Sequence, residues 1–273
     1  CIISFNSLVG HNDDQNWQVL QSPTGKVTIS FGVCHGTQAR DHKSLYEQAD
    51  EALYKSFCSA KYQCLDISDY EGASIIHDMN AAIPDRFHES FDFIYNGSCM
   101  DNLFDPVTFI KNTSRMLKPG GRILHLEAMA NVTGAFLQFS PEWFFSYYAI
   151  NNFSDCKVYA FRVDDADSRF TFDSDLFVWN PYFTRKENYD YLSAAKSVDG
   201  YMYLLVVAEK GESSTSDLYP QQMQYLHDGC TDWRSQYERF SSTDRPTLSS
   251  GVKKDQVKIP FETDHFEYLG SGF

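Results

Sequence analysis

Long apolar runs are missing from this sequence: no stretch approaches the ~18 residues that a membrane-spanning helix needs. The most apolar segment, YMYLLVVA at 201–208, is far shorter and reads as a buried strand. Basic charge is scarce, with 23 Lys and Arg against 37 Asp and Glu and a formal net charge of −14. A partner held through its phosphate backbone requires basic patches. Nucleic acid is therefore excluded as a partner, and a small molecule is favoured. No C-x-x-C pair occurs among the seven cysteines (Cys1, Cys34, Cys58, Cys64, Cys99, Cys156 and Cys230), so neither a zinc ribbon nor a thioredoxin-like motif is supported. A metal needs three or four convergent ligands, and none are spaced for one, His35 and Cys34 included. There is no internal repeat. Methionine is missing from the first position, where Cys1 stands. Signal-peptide cleavage, a lipidated Cys1 or a trimmed boundary would all look like this. Four N-x-S/T sequons, at Asn96, Asn112, Asn131 and Asn152, tilt the expectation towards a secreted rather than a cytoplasmic protein.

What the chain has in quantity is aromatic and β-forming sequence, including 22 Phe and 17 Tyr, enough for a substantial core. Residues 1–25 are polar and read as an irregular N-terminal segment. KVTISFGV (26–33), KYQCLDI (61–67), ASIIHD (73–78), FDFIYNG (91–97) and RILHLEAM (122–129) read as strands. Between the first two, DHKSLYEQADEALYKSF (41–57) carries a helical stripe with Asp41 as N-cap. PVTFIKNTSRML (106–117) reads as a helix that opens on Pro106 and stops at the Lys-Pro-Gly-Gly turn of 118–121. SPEWFFSYYAIN (140–151) has the same kind of start, with Ser140 as cap and Glu142 in the positive end of the dipole. KVYAFRVD (157–164) and YMYLLVVAEK (201–210) read as a late antiparallel pair at one edge, with an insertion at about 166–195 between them. Residues 211–273 lose periodicity and read as an extended tail.

Strands alternating with helices imply crossovers and a parallel sheet. In an open α/β sheet, ligands bind outside the carboxyl ends of the strands. Four such ends carry suggestive residues: Gly32, Asp66, Asp78 and the pair Asn96-Gly97. A carboxylate after the second strand can accept both hydroxyls of a ribose, and one after the third can accept the exocyclic amine of adenine. The competing reading makes both ordinary strand-end caps. The first reading implies a nucleoside-bearing ligand.

The order DISDYEGASIIHDMN (66–80), FDFIYNGS (91–98), FDP (104–106) and LKPGGRIL (117–124) resembles class I S-adenosylmethionine-dependent methyltransferases. It is similar in particular to a bacterial-type subgroup with D-x-S-x-Y-E-G-A, an H-D-x-N after the third strand, and a phrase ending F-S-P-E, here GAFLQFSPEWFF (134–145). The resemblance spans roughly 26–160. It implies a Rossmann-like sheet of seven mostly parallel strands flanked by helices over 26–210, and S-adenosylmethionine as cofactor. Cofactor contacts are then expected at Gly32, Gly36, Asp66, Asp78, Asn96 and Gly97. Tyr95, Asp101 and Asn102 border the expected substrate pocket and are the candidates for catalysis.

This chain departs from the family in three places. The loop FGVCHGTQARD (31–41) holds only Gly32 and Gly36, where a Gly-rich loop is usual. GSCMDN (97–102) has Asp101-Asn102 in place of Glu-His, and Gly134-Ala135-Phe136 lacks a preceding histidine. General-base chemistry would need another group. His125, inside a strand, reads as a satisfied core residue, and WFFSYY (143–148) as core or as the lining of an apolar pocket. Three readings stand: a small-molecule methyltransferase, a methyltransferase fold without catalysis serving as a secreted structural or binding protein, and an enzyme of different chemistry in the same pocket.

Overall fold

The computed structural model describes residues 2–6, 61–69, 73–130, 134–163, 175–179, 201–222, 240 and 266–271. The expected strand at 26–33 and helix at 41–57 lie outside these residues, as does the sequon at Asn131. Nine strands form one sheet: β1 (Ile2–Asn6), β2 (Lys61–Asp66), β3 (Ile75–Ile76), β4 (Phe91–Gly97), β5 (Leu117–Ala130), β6 (Asp155–Val163), β7 (Asp175–Trp179), β8 (Tyr201–Glu209) and β9 (Phe266–Ser271). Their order is β3-β2-β1-β4-β5-β8-β6-β7-β9. β2 and β3 are parallel, as are β4 and β5, and following the antiparallel pairings between them shows that β2 to β6 and β9 all run one way. Only β1, β7 and β8 oppose them. The result is a mixed α/β sheet, mostly parallel in direction, with helices packed on it.

Three expectations need correction. Among the described residues the sheet already has nine strands, where seven were expected. The N-terminal segment read as irregular supplies β1, which sits between β2 and β4 and is antiparallel to both (Ile2↔Leu65 and Ile2↔Asn96). The late pair β6–β8 is antiparallel as expected, with Asp155 opposite Glu209. It is interior, however, because β7 from the insertion and β9 from the tail extend the sheet beyond it. The physical cause is that β6 is apolar on both faces. Val158 and Ala160 face the main core, while Tyr159 joins Leu176 and Val178 of β7 in a second cluster. A strand apolar on both faces is stable only when covered on both, and it does not make a good edge.

The main core lies between the sheet and two helices, α1 (Pro106–Met116) and α2 (Pro141–Ile150). α1 starts where expected: Asp105 accepts from the Thr108 amide at 2.9 Å and from its hydroxyl at 2.6 Å, and Pro106 follows. That cap holds the Asp105 carboxyl below the usual carboxylate range, the Thr108 hydroxyl being the larger cause. α2 begins after Ser140 and buries Phe144, Phe145, Tyr147, Tyr148 and Ala149, so the aromatic run is core. The turn at 118–121 brings β5 directly off α1. A Cβ on Gly121 would stand 2.8 Å from the Lys118 carbonyl and 3.1 Å from two more carbonyls, so only glycine fits.

The start of the tail is a strap across both helices. Thr215 and Leu218 donate to Asn151 Oδ1 at 2.9 and 3.1 Å, the Tyr147 hydroxyl donates to the Ser216 carbonyl, and Arg115 pairs with Asp217 at 2.7 Å. Among the described residues, no helix is long and apolar enough to cross a membrane.

The sequons divide sharply. Asn96 and Asn112 are buried, with their amides committed to hydrogen bonds, so neither can carry glycan in the folded protein. Asn112, in the middle of α1, faces the core. Asn152 is half-buried after α2, at positive φ.

Candidate functional site

The carboxyl ends of β2, β3 and β4 carry the residues of interest on one edge of the sheet. Asp66 is the last residue of β2, in register with Ile76 of β3, and its carbonyl accepts from the His77 amide at 2.9 Å. Asp78 follows one residue later. Asp66 thus ends β2, and Asp78 stands in the turn two residues past the end of its parallel neighbour β3. Asp66 Oδ1 accepts from the Ser68 amide at 3.1 Å. Asp78 Oδ1 accepts from the Asn80 amide and from Asn80 Nδ2, both at 2.9 Å. Those bonds, the backbone one first, hold the exposed Asp78 carboxyl below its ordinary range. Each carboxylate thus steadies its own turn through Oδ1, as the capping reading requires. Gly32 and Gly36 lie outside the described residues.

The 77–80 turn is held from beneath by α1. Asn80 Oδ1 accepts from the Asp105 amide at 3.0 Å, coupling the turn to the helix cap. Asn112 accepts from the Ile83 amide at 2.9 Å and donates to the Ala81 carbonyl at 2.7 Å. Asn112→Ala strands the buried Ile83 amide, whereas the exposed Ala81 carbonyl keeps its contact with the His77 ring at 3.1 Å. A destabilisation of about 1–3 kcal/mol is expected, the cost of one orphaned buried group. Chemical denaturation checks it; a loss under about 1 kcal/mol would show that water replaces the amide.

At the end of β4, Asn96 is fully buried beneath the edge. The Cys99 amide donates to its Oδ1 at 3.1 Å, which turns its NH2 towards Glu127 Oε1 and His125 Nδ1, the latter at 2.8 Å. His125 Nδ1 is then an acceptor, so its proton sits on Nε2 and is donated to the Tyr148 hydroxyl at 2.6 Å. The ring lies against Phe144 with centroids 5.0 Å apart. Burial holds the His125 imidazole down at about 3, leaving it neutral. Burial, with the Asp101 carboxylate beside it, pushes the Glu127 carboxyl up to about 9. His125 is thus a partnered core residue, as its place inside a strand implied. Glu127 and Tyr148 are members of this network that the sequence reading missed. The available signal was the two-residue period of β5, which puts Ile123, His125 and Glu127 on one face, the face towards α2.

Gly97 closes β4. A Cβ there would meet the Tyr95 ring at 2.8 Å, so the half-buried Tyr95 lies across the glycine. Gly97→Ala must rotate that ring away. The fold should tolerate this within about 1 kcal/mol, because the clashing atoms are at the end of a side chain. Affinity for a ligand at this edge should change by more than that. Parallel melting curves and ligand titrations separate the two, and equal losses in both would contradict it.

Asp101 lies in the short 3-10 turn Met100–Asn102 and is fully buried. Its Oδ2 accepts from Ser98 Oγ at 2.6 Å and from the Ala128 amide at 3.1 Å, and its Oδ1 accepts from Asn102 Nδ2 at 2.8 Å. Its own amide donates to Glu127 Oε2 at 3.1 Å. Its carbonyl accepts from the Phe136 and Leu137 amides at 2.9 and 3.0 Å. Asp101 therefore clasps the turn after β4 to the turn after β5, and Asn102 supports it. Of the three catalytic candidates, only Tyr95 lies against Gly97. Among the described residues, no group of three or more His, Cys, Asp or Glu converges to hold a metal.

Residues 51–125 match the family model described as a methyltransferase domain, and this span contains Asp66, Asp78, Tyr95, Asn96, Gly97 and the Asp101 clasp. Among solved structures, the chain is similar to an S-adenosylmethionine-dependent methyltransferase of Thermotoga maritima, described as a possible histamine N-methyltransferase. Identity is 17%, the match covers 60% of this chain and 69% of that one, and the TM-score is 0.35. A protein of Pyrococcus horikoshii is similar at 12% identity over 60% of this chain and 77% of its own, with a TM-score of 0.27. No curated protein matches significantly. The segment that bears Asp66, Asp78 and the Asn96-Gly97 strand end is thus the part of the chain that matches a methyltransferase domain.

Proposed function

We propose that the chain binds S-adenosylmethionine across the carboxyl ends of β2, β3 and β4 and methylates a small molecule. One observation carries this: Asp66 ends β2 and Asp78 stands two residues past the end of the adjacent parallel strand β3, with Asn96-Gly97 closing β4. The donor set fits the cofactor. Asp66 would accept the two ribose hydroxyls and Asp78 the adenine amine, each using the oxygen not committed to its own turn. Glycine at 97 makes room for the Tyr95 ring, which lies across it at this strand end. When bound, the cofactor supplies an electrophilic methyl group on a sulfonium. The chain's own part is to orient it, through a 77–80 turn braced by Asn80 and Asn112 and a β4 end braced by Asn96. The net charge of −14 supports an acceptor other than nucleic acid.

One observation favours a second reading, a domain that binds without transferring. His125, Glu127 and Asp101 are sealed beneath the edge, so they cannot reach an acceptor proton. An acceptor whose lone pair is already free, such as a neutral amine, would need no base. Calorimetric titration with S-adenosylmethionine tests the shared premise, and methyl transfer to small amines then separates the readings. Absence of heat at millimolar cofactor would remove both. Binding without turnover over any amine would leave the second.

A further inference from the structure

The turns that Asp101 clasps together each present a phenylalanine to solvent. Phe104 follows the turn after β4 and is 87% exposed; Phe136 follows β5 and is 69% exposed. Their rings meet edge to face, with centroids 5.8 Å apart and planes at 69°. Single exposed apolar residues are ordinary, but two in contact make a patch that calls for an occupant. The Asp101 carbonyl, accepting from the Phe136 amide, is what brings the rings together.

The occupant can be argued from size, place and charge. Two phenyl side chains offer at most a few hundred Å², whereas a stable protein partner needs about 800 Å² per side. The patch suits one small molecule with a flat face. It stands at the carboxyl ends of β4 and β5, where open α/β sheets bind ligands. Neither 98–105 (SCMDNLFD, with Ser98 first) nor 134–140 (GAFLQFS) contains a Lys or Arg, and the chain is strongly acidic. Nothing in these turns would recruit an anion.

We propose that Phe104 and Phe136 form the acceptor subsite, which takes an uncharged or cationic small molecule through a flat aromatic face. This rests on the methyltransferase reading for the identity of the bound species as an acceptor; the subsite itself does not depend on it.

The test uses the full chain with indole, tryptamine and indole-3-acetate as probes, titrated by ligand-observed NMR, alongside calorimetry with S-adenosylmethionine. Indole and tryptamine should bind, and indole-3-acetate at least about tenfold more weakly. Phe104→Ala and Phe136→Ala should each weaken tryptamine roughly fivefold to tenfold, as loss of one aromatic contact implies, with the cofactor titration unchanged. Both side chains are exposed, so the variants should fold. Unaltered probe binding in the double variant would overturn the proposal. So would indole-3-acetate binding as tightly as tryptamine, or a wild-type dimer that the double variant abolishes, which would make the pair a contact between copies. If the cofactor fails to bind while the Phe104 dependence of tryptamine persists, the subsite stands and the methyltransferase reading fails.

Discussion

Stability is expected to be flat between about pH 4.5 and 6.5 and to fall on both sides, an acidic optimum set by two buried groups. Glu127 has an ordinary value of 4.5 and a folded value of about 9. Above pH 4.5 the unfolded chain gives up that proton and the folded chain keeps it. The contribution is therefore complete below 4.5 and is lost as pH rises through 9. His125 runs the other way, from 6.5 to about 3. Its contribution is complete above 6.5 and is lost as pH falls through 3. Each slope is at most about 1.4 kcal/mol per pH unit, and between 4.5 and 6.5 they oppose and cancel. From pH 6.5 to 9 only the Glu127 slope remains, for a loss of up to about 3 kcal/mol. Asp78 and Asp105, both held low, steepen the acid side. Denaturation midpoints across pH 4–9 check this, with Glu127→Gln as the control that should flatten the alkaline limb whatever its overall stability. An equally steep alkaline fall in Glu127→Gln would reassign the effect to another group.

Asp66→Ala is expected to weaken S-adenosylmethionine binding about tenfold to a hundredfold. A carboxylate accepting two hydroxyl hydrogen bonds contributes about 1.5–3 kcal/mol, and about 1.4 kcal/mol corresponds to a decade in affinity. The backbone bond from His77 to the Asp66 carbonyl survives the change, so the strand pair should persist. Among the described residues the carboxylate accepts from the Ser68 amide at the half-buried strand end, so stability should fall by well under the binding effect. Asp78→Asn should cost less affinity, because an amide oxygen can still accept from the adenine amine. Calorimetry on the three proteins gives the order wild type, Asp78→Asn, Asp66→Ala. Equal affinities across them would mean that both carboxylates serve only their turns.

How much of the site was legible depends on whether its logic is local. Asp66 and Asp78 could be placed because each ends a short apolar run, and a run's end is visible in one dimension. The N-cap of α1 was legible for the same reason, since Asp105, Pro106 and Thr108 are near neighbours. The burial of Asn112 was not legible, because helical periodicity marks its face only once the partners at 79–83 are known. Asp101 looked like a catalytic substitute because its type suits that role. Its side chain and amide take contacts from residues 3, 1, 26 and 27 positions away, and only the fold reveals that they leave nothing for a substrate. The resemblance had marked Gly134-Ala135-Phe136 for a missing histidine, but not the contact between Phe104 and Phe136.

The sequence by itself determined the α/β alternation, the positions of both described helices, the antiparallel pairing of β6 with β8, and the match of residues 51–125 to a methyltransferase domain. All of these follow from spacing and punctuation along the chain: two-residue and helical periods, Pro and Gly stops, and ordered motifs. Only the tertiary structure decided that Ile2–Asn6 enters the sheet between β2 and β4, that β7 and β9 extend it past β6, and that His125 and Glu127 are locked together beneath Asn96. Strand pairing joins segments through backbone groups that every residue carries, so five residues such as IISFN hold no mark of their partner. The protonation of a buried pair depends on what surrounds it in space: His125 and Glu127 stand two residues apart in a strand that read as ordinary, and burial, joined at Glu127 by the Asp101 carboxylate, drives their pKa values in opposite directions.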